Sequence, residues 1–328
     1  MQQGAGRVVG RLPVNSPQQQ AGVALLALLT LLTLWGLYLF VGQLNTTQFQ
    51  MARKQATAAA LAEARQALIG RAAADDNRPG SLPCPALDQN GVAPLLAGNH
   101  CPAYVGRLPW KTLDVGDLRD DAGEQLWYAL AAALRDDNSA QPINFATTPE
   151  LRLDGTPNVA AIVFSPGVPL ANQNGRPGNS VGDYLDGSNN DGDQDFVSGP
   201  PSSSFNDRVV AITRDHLFRA VNQRILGEVR AHAESAALPK YGLLGYHAFH
   251  SAFPWADGGA DGIGDSGTTA GQLPHNDLSL SQTARDWLTA NDWWPLISYS
   301  RVNNCLARIG VLGSTTTMDV QGTSPPCP

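Results

Sequence analysis

The segment Val23–Val41, VALLALLTLLTLWGLYLFV, limits what this chain can fold into more than any other. It carries no charge. With Gly22 and Gly42 at its edges it runs for about 20 residues, and at 1.5 Å per residue it crosses a hydrocarbon layer of ~30 Å. A soluble helix keeps a polar face, and this one is apolar all round. A cleavable secretory peptide has an apolar core of only ~7–15 residues followed by a small-x-small site, and neither feature fits. Trp35 and Tyr38 stand toward the C-terminal end, where amphipathic rings favour a membrane interface. The sequence predicts one membrane-spanning helix over residues 23–42.

Charge does not orient that helix, because Arg7 and Arg11 precede it while Arg53 and Lys54 follow it. The cysteines do. Cys84 and Cys101 lie 17 residues apart in a Pro- and Gly-rich stretch, and Cys305 and Cys327 lie 22 apart near the C-terminus. Two local pairs without a Cys-x-x-Cys read as two disulfides rather than a metal site, with other pairings formally open. The large C-terminal part is therefore expected in an oxidising compartment and residues 1–22 in the cytoplasm. A net charge of −7 with 16% charged residues excludes a polybasic nucleic-acid binder, so no nucleic-acid partner is expected. The 43% hydrophobic content is enough for a buried core, and 33 Gly with 23 Pro predict a loop-rich one.

Residues 43–75 read as an amphipathic helix that continues the membrane segment. Leu61, Ala64, Leu68 and Ile69 form its apolar stripe, and Asp75-Asp76-Asn77-Arg78-Pro79-Gly80 ends it. Beyond it the chain repeats itself loosely, giving a first module over 76–210 and a second over 211–328. Leu82-Pro83-Cys84-Pro85, Gly106-Arg107-Leu108-Pro109 and Leu126-Trp127-Tyr128 are answered by Phe253-Pro254-Trp255, Gly271-Gln272-Leu273-Pro274 and Trp293-Trp294-Pro295-Leu296. Helical stretches, 52–74 and 214–236, precede the two sets. A hairpin is predicted from Leu151–Leu153 through a turn at Gly155-Thr156-Pro157-Asn158 into the apolar strand Val159–Phe164. The second module has no clear counterpart of that strand after Cys305, so it is expected to be truncated or completed by a neighbouring chain. The fold class expected is α+β: a long N-terminal helix and a head of two related antiparallel-sheet modules.

A short leader ending in Gly22, an apolar segment from Val23 and an amphipathic helical continuation together resemble type IV pilins and the pseudopilins of type II secretion. Leu118–Tyr128, LRDDAGEQLWY, is similar to the segment that leads into the pseudopilin sheet, and Asn291–Tyr299 resembles it again. Cys305 and Cys327 look like the disulfide-bounded C-terminal loop of many pilins. The resemblance implies cleavage between Gly22 and Val23 by a prepilin peptidase, N-methylation of Val23, and assembly with other pilin-like subunits through inner-membrane machinery. It implies a single-pass inner-membrane protein with its head in the periplasm, or outside the cell within a pilus, and no enzyme. Two departures matter. Ala27 occupies the fifth position, where major pilins carry Glu, and apolar fifth positions go with minor, tip-located subunits. Ala21, preceded by Gln18–Gln20, stands where a basic residue is usual. The alternative is a membrane-anchored surface adhesion or carbohydrate-binding protein on an uncleaved anchor.

The loop Asp186–Asp195, DGSNNDGDQD, is the leading ion-binding candidate. Ca²⁺ takes six to eight oxygen ligands, and Asp186, Asn190, Asp191, Asp193 and Asp195 offer carboxylates and an amide among turn-forming glycines. The register is not that of an EF-hand, since Asp191 stands where its glycine belongs. Asp257–Asp265, DGGADGIGD, is a weaker second loop. His247 and His250 have a zinc-like His-x-x-His spacing, with Asp257 or His275 to add, against a plainer role in packing or at the surface. Trp287, Trp293 and Trp294 offer either an exposed binding face or core. Ser165-Pro166-Gly167 is not a nucleophile elbow, and no phosphate loop or dinucleotide fingerprint occurs. No catalytic residue is expected.

Overall fold

The apolar segment and its continuation form one helix, α1 (Pro17–Ala74). The computed structural model describes residues 4, 17–96, 98–136, 141–231, 241–322, 325 and 327. Most of the leader, Arg7 and Arg11 included, and the end of the predicted 214–236 helix lie outside the described residues. The chain divides into two compact units, Met1–Gln55 and Ala56–Pro328. In the first, Gly22–Phe40 is long and apolar enough to cross a membrane, with none of it buried.

In the second unit α1 buries Ala60, Leu61, Ala64, Leu68, Ile69 and Ala72. This is the predicted stripe, extended by alanines whose small side chains permit close packing. Thr57 is also buried, and its hydroxyl donates to Asp121 Oδ1 at 3.0 Å while accepting from Asp121 N at 2.9 Å. The helix stops where expected: Asp75 Oδ1 accepts the N–H groups of Asn77 and Arg78 at 3.0 and 2.8 Å, and Gly80 takes a φ of 107°.

Ten strands follow. The first sheet holds β1 (Val105–Arg107), β2 (Trp127–Leu130), β3 (Leu151–Leu153), β4 (Thr156–Ser165), β5 (Asp195–Phe196) and β6 (Arg208–Thr213) in the order β1-β2-β4-β3-β5, with β6 also paired to β4. The second sheet holds β7 (Ala270–Gln272), β8 (Ile297–Asn303), β9 (Leu306–Val311) and β10 (Thr317–Gln321) in the order β10-β9-β8-β7. All pairings are antiparallel except β3 with β5. Helices α2 (Arg214–Arg230), α3 (Gly242–His250) and α4 (Gln282–Ala290) complete the fold. Thr213 caps α2 by accepting from His216 N, and α2 buries Leu217, Phe218, Val221, Ile225, Leu226 and Val229 while touching β4, β6, β9 and β10. It thus stands between the two sheets and joins them in one core.

The two sheets share one frame. Gly106 pairs with Tyr128, and Gly271 with Tyr299. Leu108 N donates to Leu126 O, and Leu273 N to Ile297 O. Arg107 exchanges both backbone hydrogen bonds with Ala86, and Gln272 does the same with Asp257. A Cβ on Gly106 would collide with the Ala86 carbonyl oxygen, and one on Gly271 with that of Asp257, so both positions need glycine for close approach. Buried Asp120 and Asn291 each stand six residues before the matching Leu126 and Ile297.

This register corrects two expectations. The counterpart of Leu126-Trp127-Tyr128 is Ile297-Ser298-Tyr299, not Trp293–Leu296, because the 3₁₀ turn Trp294–Leu296 intervenes before the strand starts. The second sheet is not truncated either: β9 takes the place of β4, and β10 that of β6. Arg308, Gly310 and the polar turns around them weaken the apolar run that marks β4, which hid the match. The predicted hairpin forms, but its turn is Asp154-Gly155, with φ of 51° and 75°, and Thr156 already opens β4. Asp-Gly accepts two positive φ values, the conformation a two-residue hairpin turn requires.

Candidate functional site

The apolar face of α1 comes first. Val23, Leu26, Leu31, Trp35 and Tyr38 are all more than half exposed. The two threonine hydroxyls in the segment are used within the helix: Thr30 donates to Ala27 O and Thr33 to Thr30 O, each at 2.9 Å. No polar side chain is thus left without a partner between Val23 and Leu34. Gly22 and Ala27 both lie in the helix, and a Cβ on Gly22 would meet nothing, so packing within the chain does not require glycine there.

The long connection between β4 and β6 is ordered, and it covers the outer face of the first sheet. Tyr184, Leu185 and Phe196 pack there on Trp127, Ala129, Ile162 and Phe164. Arg176 ties the connection together. Its guanidinium donates to Asp183 O at 2.6 Å, Gly167 O at 2.7 Å and Gln173 Oε1 at 2.7 Å, and stacks on Tyr184 at 4.5 Å.

The predicted calcium residues do not converge. Asp186 is buried, and its carboxylate accepts Gln173 Nε2 and Asn206 N, both at 2.7 Å. Asn190 turns its amide to donate to Leu185 O. Asp191, Asp193 and Asp195 are exposed, and two of them accept N–H groups within the loop: Asp193 N donates to Asp191 Oδ1 and Asp195 N to Asp193 Oδ1. The buried partner of Asp186 is Asp207, which the sequence pattern missed because it lies 21 residues downstream. Asp207 Oδ2 accepts Asp186 N at 2.9 Å and Asn189 Nδ2 at 2.8 Å, while its Oδ1 is buried without a partner among the described residues. Burial pushes the Asp207 carboxyl up to about 7, with the Asp186 charge adding to the rise; burial also raises Asp186.

In the second acidic loop the carboxylates hold backbone. Asp257 accepts the N–H groups of Gly259, Ala260 and Gly262, Asp265 that of Gly258, and Asp277 that of Gly264. The histidines separate too. His250 is exposed and stacks on Tyr246, and His275 lies flat on Trp294 at 4.4 Å. His247 is buried against Phe253, with Nε2 3.2 Å from Cys327 Sγ. Burial holds its pKa below the ordinary histidine value, opposed by the Asn304 backbone. Trp287 and Trp293 are core, and only Trp294 is partly exposed.

Both cysteine pairs are bonded as the spacing indicated, Cys84–Cys101 and Cys305–Cys327, with Cα–Cα distances of 5.5 and 5.4 Å. The chain matches no protein-family model, and no curated protein or solved structure is significantly similar to it.

Proposed function

We propose that this chain is a pilin-like structural subunit, a minor component of a type IV pilus or type II secretion filament. The observation that carries the reading is α1. Its Gly22–Phe40 stretch is exposed and apolar on every side, and its turns from Ala60 to Ala72 belong to the core of an α+β head. A segment of that kind suits transfer from a bilayer into a bundle of like helices, because both surroundings are apolar. Ala27 offers a methyl group where a carboxylate would meet a neighbour's N-terminus, so contacts between subunits rest on side-chain packing alone. Two disulfides fit a head exported to an oxidising compartment. Its work is assembly rather than turnover, with other pilin-like subunits, the inner-membrane machinery and a prepilin peptidase as partners. Calcium enters the proposal at the loop Asp186–Asp195, where an ion would have to draw together the exposed carboxylates of Asp191, Asp193 and Asp195. Titration calorimetry of the full chain tests that ion, and no heat at millimolar Ca²⁺ removes it.

The decisive measurement is mass spectrometry of the N-terminus of protein purified from membranes. A chain beginning at N-methylated Val23 is the expected result. An N-terminus at Met1 replaces the pilin reading with a membrane-anchored adhesion protein. A terminus beyond Phe40 makes the apolar segment a removed signal and overturns both.

A further inference from the structure

Three potential metal ligands meet at the C-terminal disulfide. His247 Nε2, Cys305 Sγ and Cys327 Sγ all lie within 4.8 Å of one another. Each is positioned by a different part of the second module. His247 projects from α3 and is clamped by Phe253, with ring centroids 4.8 Å apart. Cys305 sits in the β8–β9 turn, where its N–H donates to Asn303 Oδ1 at 2.7 Å and its carbonyl accepts from Gly322 N at 2.8 Å. Cys327 closes the loop after β10. Gly322 passes so near the His247 ring that a Cβ there would collide with Nε2. The ring is buried, its Nε2 faces a sulfur, and the Asn304 backbone stands by the ring as well. An imidazole is a poor choice for filling a core in this way, but a good one for sharing a ligand.

We infer that reduction of Cys305–Cys327 opens a soft-metal site, with both thiolates and His247 Nε2 as ligands for a thiophilic divalent ion such as Zn²⁺. A dithiol reductant supplies two electrons and two protons to the sulfurs and leaves as its own disulfide. Zn²⁺ then displaces the two thiol protons to solvent, and Nε2 contributes its lone pair. Two thiolates cancel the charge of the ion, which favours binding at a half-buried site. Cys305 and Cys327 are both partly exposed, leaving room for water in the fourth tetrahedral position. Among the described residues the Cys84–Cys101 bond has no such histidine, and its cysteines are 4% and 6% exposed, so a reductant reaches the C-terminal bond first.

The test uses the full chain in detergent, reduced with a phosphine until the C-terminal thiols are free, and Co²⁺ as the probe. Expected is a single Co²⁺ per reduced chain with thiolate-to-metal absorption, and none for the oxidised chain. His247→Gln should weaken binding by at least about tenfold, since loss of even an outer-shell partner of a ligand costs that much. The double variant Cys305→Ser, Cys327→Ser should abolish it although Cys84 and Cys101 remain. Equal binding by either variant, or none by the reduced wild type, overturns the inference. A measurement free of folding defects uses the wild type alone: Zn²⁺ should protect Cys305 and Cys327 from alkylation, and unprotected cysteines refute the site.

Discussion

Asp207 is the group whose replacement should move stability most clearly with pH. Its carboxylate accepts two hydrogen bonds through Oδ2 and none through the buried Oδ1, beside the equally buried Asp186. Its pKa rises from 3.8 to about 7 on folding, chiefly through burial. The folded state therefore holds a proton that the unfolded chain has released. That stabilisation is complete below about pH 4 and is lost as pH rises through 7. At 1.36 kcal/mol per unit the ceiling is about 4 kcal/mol between those limits. Asp207→Asn keeps a carbonyl oxygen for the N–H groups of Asp186 and Asn189, and puts a neutral NH₂ where Oδ1 lacks a partner. An unpaired NH₂ costs ~1–3 kcal/mol, so the net gain at pH 8 is about 1–3 kcal/mol. For a head of this size that is roughly 2–6 °C in Tm. At pH 5 the gain should vanish or reverse, because the wild-type carboxyl is then protonated. Asp186 titrates in the same direction, so a weaker residual slope remains in the variant. Thermal unfolding of both proteins in detergent at pH 5 and pH 8 decides. A variant-to-wild-type difference that is the same at both pH values refutes the reasoning.

The matched tyrosines make a paired test. Tyr299 OH donates to Pro254 O at 2.9 Å, whereas Tyr128 OH is buried without a partner among the described residues, so by urea unfolding Tyr299→Phe should cost about 1 kcal/mol and Tyr128→Phe nothing. Arg176→Ala strips several carbonyl and amide oxygens of their donor and should cost roughly 1–3 kcal/mol, the scale of buried acceptors left unpaired. Limited proteolysis should then cut first within residues 166–207, and cleavage elsewhere would count against the loop being held by this one side chain. Leu32→Arg should raise the cost of membrane insertion by ~3 kcal/mol, read as protein moving from the membrane to the aqueous fraction. Gly106→Ala and Gly271→Ala should each lower Tm by several degrees, because each methyl strikes a backbone oxygen. A silent variant at either position would break the proposed equivalence of the two sheets.

The sequence disclosed whatever depends on local pattern. The apolar block, the stripe Leu61–Ile69, the stop at Asp75–Gly80, the local cysteine pairs and the β3–β4 hairpin all follow from short-range rules of periodicity and turn chemistry. The Gly-Arg-Leu-Pro and Gly-Gln-Leu-Pro repeats gave the frame of the two sheets because each glycine answers a steric demand. Long-range partnership was invisible. Nothing in the spacing of Asp186–Asp195 indicates that Asp186 turns inward toward Asp207 while Asp191 and Asp193 hold only their own loop. Nothing near His247 announces Cys327, 80 residues away in sequence. The β9 strand was missed because its outward positions are polar, so it lacks the unbroken apolar run that made β4 stand out.

That last difference explains why one frame needs a long connection and the other does not. The outer face of the first sheet presents Trp127, Ala129, Ile162 and Phe164, and the connection from Pro166 to Asp207 buries them. The equivalent outer positions of the second sheet are Ser298, Ser300, Arg308 and Gly310, and Arg308 forms a bidentate pair with Asp319 on β10 at 2.6 and 3.0 Å. A face of serines and paired charge is stable in water and needs no cover, so β9 turns directly into β10. The covering loop and the apolar face beneath it therefore depend on each other. Replacing Phe164 or Ile162 with polar residues should release the loop without unfolding the α2 side of the core, which packs on the opposite face of the sheet.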